Sequence, residues 1–309
     1  MLSLPKTYKA AVVHHAGGNF EIVEKPLVAP TAGSILVKVL ACGVCHSDSL
    51  VKLGVSPLPR VAGHEIVGDV VAVPDCETRW KLWLLQGGDF ITCSNEAING
   101  VTQDGGYAEY VILRTEAVLL VPDSLDPAEA APLLCAGITT FNALRNVEGL
   151  KGNTTLIVFF LTRLHSGVGH LGLQYAKQMG FKVVALSQSD AKKELAIKLG
   201  ADIYLNGSEV NQVEELMKLG GAKVILATAL TAKLFSKAHI QHHGNNAKTH
   251  YYQGWPAGHA RDTEEAIEFA QKNNIVSMIE KFTLEQVNEA FAKMQRGQTK
   301  FRAVLIPGV

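Results

Sequence analysis

No apolar run in this sequence approaches the roughly 20 residues that cross a bilayer; the most conspicuous, "LIVFFL", has the length of a core strand. Neither sign of charge is in excess. Lys+Arg and Asp+Glu each number 29 among 309 residues, so no global field calls for nucleic acid or a membrane surface. Cysteine is sparse, five in all, and an odd, scattered set does not make a disulfide framework. The opening "MLSLPKTYKAAVV" lacks the apolar core of a secretory signal, so a reducing cytoplasm is the expected location. Thiols there serve as ligands, nucleophiles or buried apolar groups. Internal repeats and low-complexity tracts are missing as well.

What is present describes a globular protein long enough for two domains, with 47% hydrophobic and 19% charged residues. The first third reads as short strands: "YKAAVVHHA", "FEIVEKPLV", "SILVKVLA", "HEIVGDVVAV" and "GGYAEYVILR", broken by Gly and Pro. A helix signal follows in "DPAEAAPLLCAGITTFNALR", with Asp126 as N-cap, Pro127 at the first helical position and a break expected at Pro132. Beyond Gly152, strands alternate with helices about a dozen residues long, the mark of a parallel, doubly wound sheet. Gly180 and Gly200 fall where helices should end. Between Thr231 and His259 the pattern blurs, and four histidines lie between Ala238 and His250 at irregular spacing, as in a solvated linker. The helix "DTEEAIEFAQKNN", a second one opened by Thr283-x-x-Gln286, and the strand "KFRAVLI" complete the pattern.

The stretch "ACGVCHSD" admits three readings: the C-x-x-C-H of a c-type haem, a thioredoxin-like thiol pair, or one thiolate of a zinc site. Haem attachment goes with export, and the redox pair should open a helix after a βαβ pattern; neither condition is met. Cys45, His64 in "VAGHEIVGDV" and Cys135 in "LLCAGIT" together form a Cys₂His set. Three protein ligands with an open fourth position is how catalytic zinc is held. Spacing alone does not join positions so far apart, and Cys42 and Cys76 read as small buried hydrophobes.

Gly167-Val168-Gly169-His170-Leu171-Gly172 is a G-x-G-x-x-G after a strand, the pattern that lets backbone approach a pyrophosphate at a helix N-terminus. At the end of the next strand, where a carboxylate would bind the 2′-hydroxyl of NAD, stands Ser187, followed by Asp190, Lys192 and Lys193. Hydroxyls and cations suit a 2′-phosphate, so NADP(H) is mildly preferred over NAD(H).

These segments, with "NGVTQDGGYAEYV", "GVGHLGLQYAKQMGFKVVALS" and "QGWPAGHARDTEEAIEFA", make the chain resemble the zinc-dependent alcohol dehydrogenases of the medium-chain dehydrogenase/reductase superfamily. Alcohol dehydrogenase uses a Cys₂His donor set for its catalytic zinc. The resemblance implies an α/β architecture. A GroES-like β-rich catalytic domain would comprise residues 1–136 and 260–309, with a Rossmann cofactor-binding domain at 137–259. It implies that Cys45, His64 and Cys135 bind one catalytic Zn²⁺, and that Ser47 takes the proton of the substrate alcohol. His46 would meet the pyrophosphate together with Gly167, Gly169 and Gly172; Thr139 would lie near the nicotinamide, and Ser187 and Lys192 near the adenosine ribose. Asp48 would support His64, and Glu65 would lie behind the metal. The implied partner is a small alcohol or its aldehyde or ketone; a homo-oligomer is compatible with the sequence.

The chain also departs from the family. Where many relatives hold a structural zinc with four cysteines, "WKLWLLQGGDFITCSNEAINGV" keeps only Cys93, so no structural zinc is expected. Leu164, His165 and Ser166 replace a glycine-rich turn, with Arg163 beside them, and a missing Rossmann strand is expected after "KVILATALTAK". Position 50 is Leu50, where some relatives end a proton relay in histidine. Those losses raise the alternative of a catalytically impaired zinc-binding relative with weak or no cofactor binding. Substrate-pocket candidates are "GVSPLPR" and Trp83.

Overall fold

The computed structural model describes residues 4–75, 97–146, 156–160, 167–221, 224–226 and 257–308. Cys76, Trp83, Cys93, Arg163, the turn 164–166, the histidine-rich linker and the expected missing strand lie outside the described residues. Among the described residues no helix is long and apolar enough to cross a membrane.

Three sheets organise the described residues. β1 (Thr7–Val13) pairs antiparallel with β2 (Glu21–Pro26) and β4 (Arg60–Val61). β3 (Ser34–Gly43) is the hub of a second sheet in the order β11-β12-β3-β5, with β6 also paired to β3. In it, β5 spans Glu65–Ala72 and β6 Tyr110–Arg114, while β11 (Ile279–Thr283) and β12 (Arg302–Ile306) come from the far end of the sequence. The third sheet is parallel, β10-β7-β8-β9, built from Leu156–Phe160 (β7), Lys182–Ser187 (β8), Ile203–Asn206 (β9) and Val224–Leu226 (β10). The expected α/β architecture of a β-rich part and a doubly wound parallel sheet is therefore observed.

β3 carries "SILVKVLACG" with its apolar side chains buried on both faces, because β12 and β5 flank it while helices and loops cover it. Helix α4 (Gly167–Gln178) buries Leu171, Leu173, Tyr175 and Ala176 against helix α3 (Ala136–Arg145) and β8. Each large side chain removed from water there contributes roughly 1.5–3 kcal/mol. The helix Ala260–Lys272 adds Ala266, Ile267 and Ala270 to that same cluster. It begins two residues before the expected stretch "DTEEAIEFAQKNN". His259 is the N-cap, and Asp262 at the third helical position reaches back to its N–H at 3.2 Å.

The segment leading to Cys135 breaks as its proline predicts. Asp126 caps α2 (Pro127–Ala130) by accepting from Ala128 N–H at 2.7 Å. Pro132 sits in a tighter 3-10 turn, Ala131–Leu134, and α3 restarts after Cys135, whose φ of −129° and ψ of −72° mark the break. Ala128, Ala130 and Ala131 pack on Ala41 and Val67 of the β3–β5 pair and on Val304. Small residues let α2 lie close to that sheet, which brings the Cys135 thiol to the end of β3.

Candidate metal centre and cofactor-facing elements

β3 ends at Gly43, and Cys45 stands two residues further on, at the entry to a 3-10 turn, His46–Asp48. Asp48 reaches back to accept the Cys45 N–H at 2.8 Å, so the turn is tied to the residue whose thiol it presents. Opposite, β5 begins at Glu65, in register with Gly43. His64 immediately precedes that strand.

Gly43 is required by this pairing. A Cβ there would lie 1.9 Å from Glu65 Oε2, because the carboxylate occupies the space a side chain would fill. Gly63 has φ of +97°, and a Cβ on it would sit 2.4 Å from the Tyr107 ring. Only glycine satisfies both demands at that position.

Cys45, His64, Glu65 and Cys135 each offer a ligand atom, all within 4.8 Å of one another. The two sulfurs lie 3.8 Å apart. Two thiolates about 2.3 Å from one ion at the tetrahedral angle stand about 3.8 Å apart, so the pair fits a shared zinc. His64 Nδ1 is 2.9 Å from Asp48 Oδ1. A carboxylate accepts only, so that contact places a proton on Nδ1 and leaves Nε2 as the nitrogen a metal would take, displacing any proton there. The donor set and its spacing suit the ion.

The electrostatics are unusual for so buried a place. The hydrogen bond from Cys135 holds Cys45 well below the ordinary thiol range despite burial, with Arg302 and His64 acting in the same sense. Cys135, the donor, is pushed up by that bond and by burial. Burial alone would lower His64, but Asp48 and the Cys45 sulfur reverse this and raise it well above the usual imidazole value. Glu65, fully buried, is pushed up to about 7 by desolvation, against the pull of Arg302. The Tyr107 hydroxyl is raised well above its usual value, by burial and then by Asp48.

Arg302, on β12, was not anticipated. Its Nη2 lies 2.9 Å from Glu65 Oε1, and the side chain is 6% exposed. The two meet as charges, since neither Glu65 oxygen has a hydrogen bond of good angle among the described residues. The same guanidinium abuts Gly167, where a Cβ would come within 2.8 Å of Arg302 Cζ. It therefore spans from the metal corner to the first residue of α4. The one available signal was a lone charge inside the apolar strand "FRAVLI".

The remaining expected residues separate into two groups. Ser47 is exposed beside the sulfurs, its hydroxyl donating to Cys45 Sγ at 3.1 Å, and His46 is exposed next to it. Thr139 is half-buried in the first turn of α3, its N–H bonded to Cys135 O at 3.0 Å. Gly167, Gly169 and Gly172 all lie inside α4, not in a turn before it. The unpaired N–H groups of that helix start belong to its first residues, and Gly172, buried in the second turn, is not among them. Ser187 ends β8, and its carbonyl accepts from Gly207 N–H and Gln212 Nε2. Lys192 closes the following 3-10 turn, nearly buried, with its pKa lowered to about 8 by desolvation. β7 and β8 are parallel neighbours, so the start of α4 and the end of β8 face the same edge of the sheet.

Comparisons with known proteins bear on the family and the fold. Residues 31–123 match the alcohol dehydrogenase GroES-like domain, and residues 167–251 match the zinc-binding dehydrogenase family. The alcohol dehydrogenase patD of Penicillium expansum is 40% identical, covering 97% of this chain and 98% of its own length. The alcohol dehydrogenase of Aeropyrum pernix superposes with a TM-score of 0.81 at 23% identity, over 97% of this chain and 100% of that one. An acetophenone reductase from Geotrichum candidum, solved in complex with NAD, gives 0.71 at 21% identity over 98% of each chain.

Proposed function

Given that the chain belongs to the zinc-dependent alcohol dehydrogenases of the medium-chain dehydrogenase/reductase superfamily, we propose that Cys45, His64 and Cys135 hold its catalytic zinc. The protein is an NAD(P)-dependent oxidoreductase; the residue roles are our reading. The observation that carries them is the 3.8 Å separation of the two sulfurs with His64 anchored by Asp48 beside them.

Bound zinc supplies Lewis acidity toward the oxygen of an alcohol or carbonyl. Ser47 stands exposed beside the sulfurs, its hydroxyl suited to accept the proton of a substrate alcohol and return it in the reverse direction. With Leu50 one helical turn further on, no imidazole stands there to continue the relay, and cofactor hydroxyls or water would have to take the proton onward. Thr139 and His46 flank the metal corner from α3 and the 3-10 turn, on the side from which a nicotinamide and a pyrophosphate would approach. Arg302 neutralises Glu65 and faces the start of α4, where it orients both.

The coenzyme preference we favour is NADP(H), because β8 ends in Ser187 and not in a carboxylate, with Lys192 and Lys193 close in sequence. Substrates in this reading are primary or secondary alcohols and their aldehydes or ketones. The proposed location is cytoplasmic, with residues 1–136 and 260–309 forming one unit and 137–259 the other. Helix Ala260–Lys272 lies against the core of the second unit and so connects the two.

The test is a paired measurement of zinc per chain and of aldehyde-dependent oxidation of NADPH against NADH. One zinc, faster turnover with NADPH, and loss of both metal and activity in Cys45→Ser are expected. Zinc bound without any dinucleotide turnover would instead describe an impaired relative. Two zincs would overturn the expectation for the segment around Cys93.

A further inference from the structure

One buried hydroxyl in the metal corner has no part in the chemistry above. Tyr107 is fully buried, and its hydroxyl donates to Asp48 Oδ2 at 2.7 Å. Asp48 is itself fully buried and takes two more hydrogen bonds, from the Cys45 N–H and from His64 Nδ1. Two of its three donors thus belong to metal-ligand residues, and the third is the tyrosine.

The surrounding chain is shaped to bring that hydroxyl there. The Tyr107 N–H bonds Ala62 O at 3.0 Å, and the Gly106 N–H bonds Gly63 O at 2.8 Å. The segment carrying the tyrosine therefore pins the backbone just before His64. The ring lies where a side chain at position 63 would be, and its edge meets Phe20 at a centroid distance of 5.6 Å. Held between Gly63 and Phe20, the ring delivers its phenol oxygen to Asp48 Oδ2.

We propose that Tyr107 is a positioning residue of the metal centre, holding Asp48 in the orientation that turns His64 Nε2 toward the two sulfurs. The claim rests on the reading that Cys45, His64 and Cys135 bind a metal. A buried carboxylate that loses one of three donors has an unmatched lone pair, and it reorients to recover a partner. His64 follows, since its ring direction is set by the same carboxylate. Cys45 is affected less, because its thiol direction is fixed by the backbone of the turn.

Tyr107→Phe keeps the ring and its packing and removes only the hydroxyl. On the metal-depleted full chain, zinc affinity is read by competition with a chromophoric chelator, and coordination by the visible absorption of the Co²⁺ form. The expected result is about tenfold weaker zinc binding and a changed Co²⁺ band, the lower end of the loss typical for groups that orient metal ligands. Tyr175→Phe is the control: it removes a buried hydroxyl bonded to Ala266 O at 2.9 Å in the other core, and affinity and spectrum should be unmoved. In an Asp48→Asn background, the loss from Tyr107→Phe should shrink to within about twofold, because the two residues act in series. Wild-type affinity and spectrum in Tyr107→Phe, or an undiminished loss in the Asp48→Asn background, would overturn the proposal. Should Tyr107→Phe not fold without metal, the rate of zinc release from the purified holoprotein supplies the same comparison. Wild-type protein that takes up no metal sinks the metal reading itself, whereas a loaded wild type matched by Tyr107→Phe sinks only the tyrosine's role.

Discussion

At position 43 a side chain has nowhere to go, because Glu65 fills the space and is held there by Arg302. Gly43→Ala is expected to push the carboxylate off its buried partner. Overpacking costs about 1–3 kcal/mol, and parting a buried ion pair about 3–5 kcal/mol, so a loss of roughly 3 kcal/mol in urea denaturation is predicted. In a Glu65→Ala background the space is open, and most of that loss should vanish. An equal loss in both backgrounds would show that backbone conformation, not the carboxylate, dictates glycine. Residues such as Arg302 and Tyr107 were not readable from the sequence. Each owes its role to a neighbour scores of positions away, and nothing in the local pattern names that neighbour.

Among the elements, those with local causes were legible. The Asp126–Pro127 start, the break at Pro132 and the left-handed glycines at 180 and 200 all follow from chemistry within a few residues. The helix Ala260–Lys272 began earlier than expected because histidine, an uncommon cap, opens it with Asp262 reaching back. The fingerprint glycines fell inside α4 for a related reason, since the pattern of glycines does not say where the first helical hydrogen bond closes. The α2 cap gives a pH-dependent prediction. Burial opposes ionisation of Asp126, but the Ala128 N–H and Lys281 outweigh it and hold the carboxyl below its usual value. A depressed acid stabilises the fold above its unfolded pKa, near 3.8, and that contribution fades as pH falls through the folded value. Asp126→Ala should therefore cost about 1 kcal/mol at pH 7 and progressively less below pH 4, read by urea titration at each pH. A cost that persists undiminished at pH 2.5 would assign it to packing instead.

For the whole molecule, two apolar cores meet around the metal corner: one built on β1, β3 and the helix Val287–Arg296, the other on α3, α4 and Ala260–Lys272. Side chains of α4 also fasten the stretch before β11. The Gln174 amide exchanges two hydrogen bonds with the Val276 backbone, and His170 Nε2 accepts from the Met278 N–H at 3.1 Å. The metal corner draws on β3, β5, α3 and β12, so an ion bound there stabilises both halves together. Free zinc at a thousand times its dissociation constant would add about 4.1 kcal/mol. At roughly 2–4 °C per kcal/mol, a chelator should lower the melting temperature by about 10 °C. Cys45→Ser should melt at one temperature with or without chelator; a chelator shift that survives the substitution would point to another metal.

The proposed ligands enter the chain at positions 45, 64 and 135, and the guanidinium beside them at 302. Bringing positions so remote together costs loop-closure entropy, which the packed strands and helices around the corner offset. An ion bound there would act as a latch on that cradle, slowing its opening. A cell short of zinc would accordingly accumulate folded, dormant protein, ready to be switched on by metal supply without new synthesis.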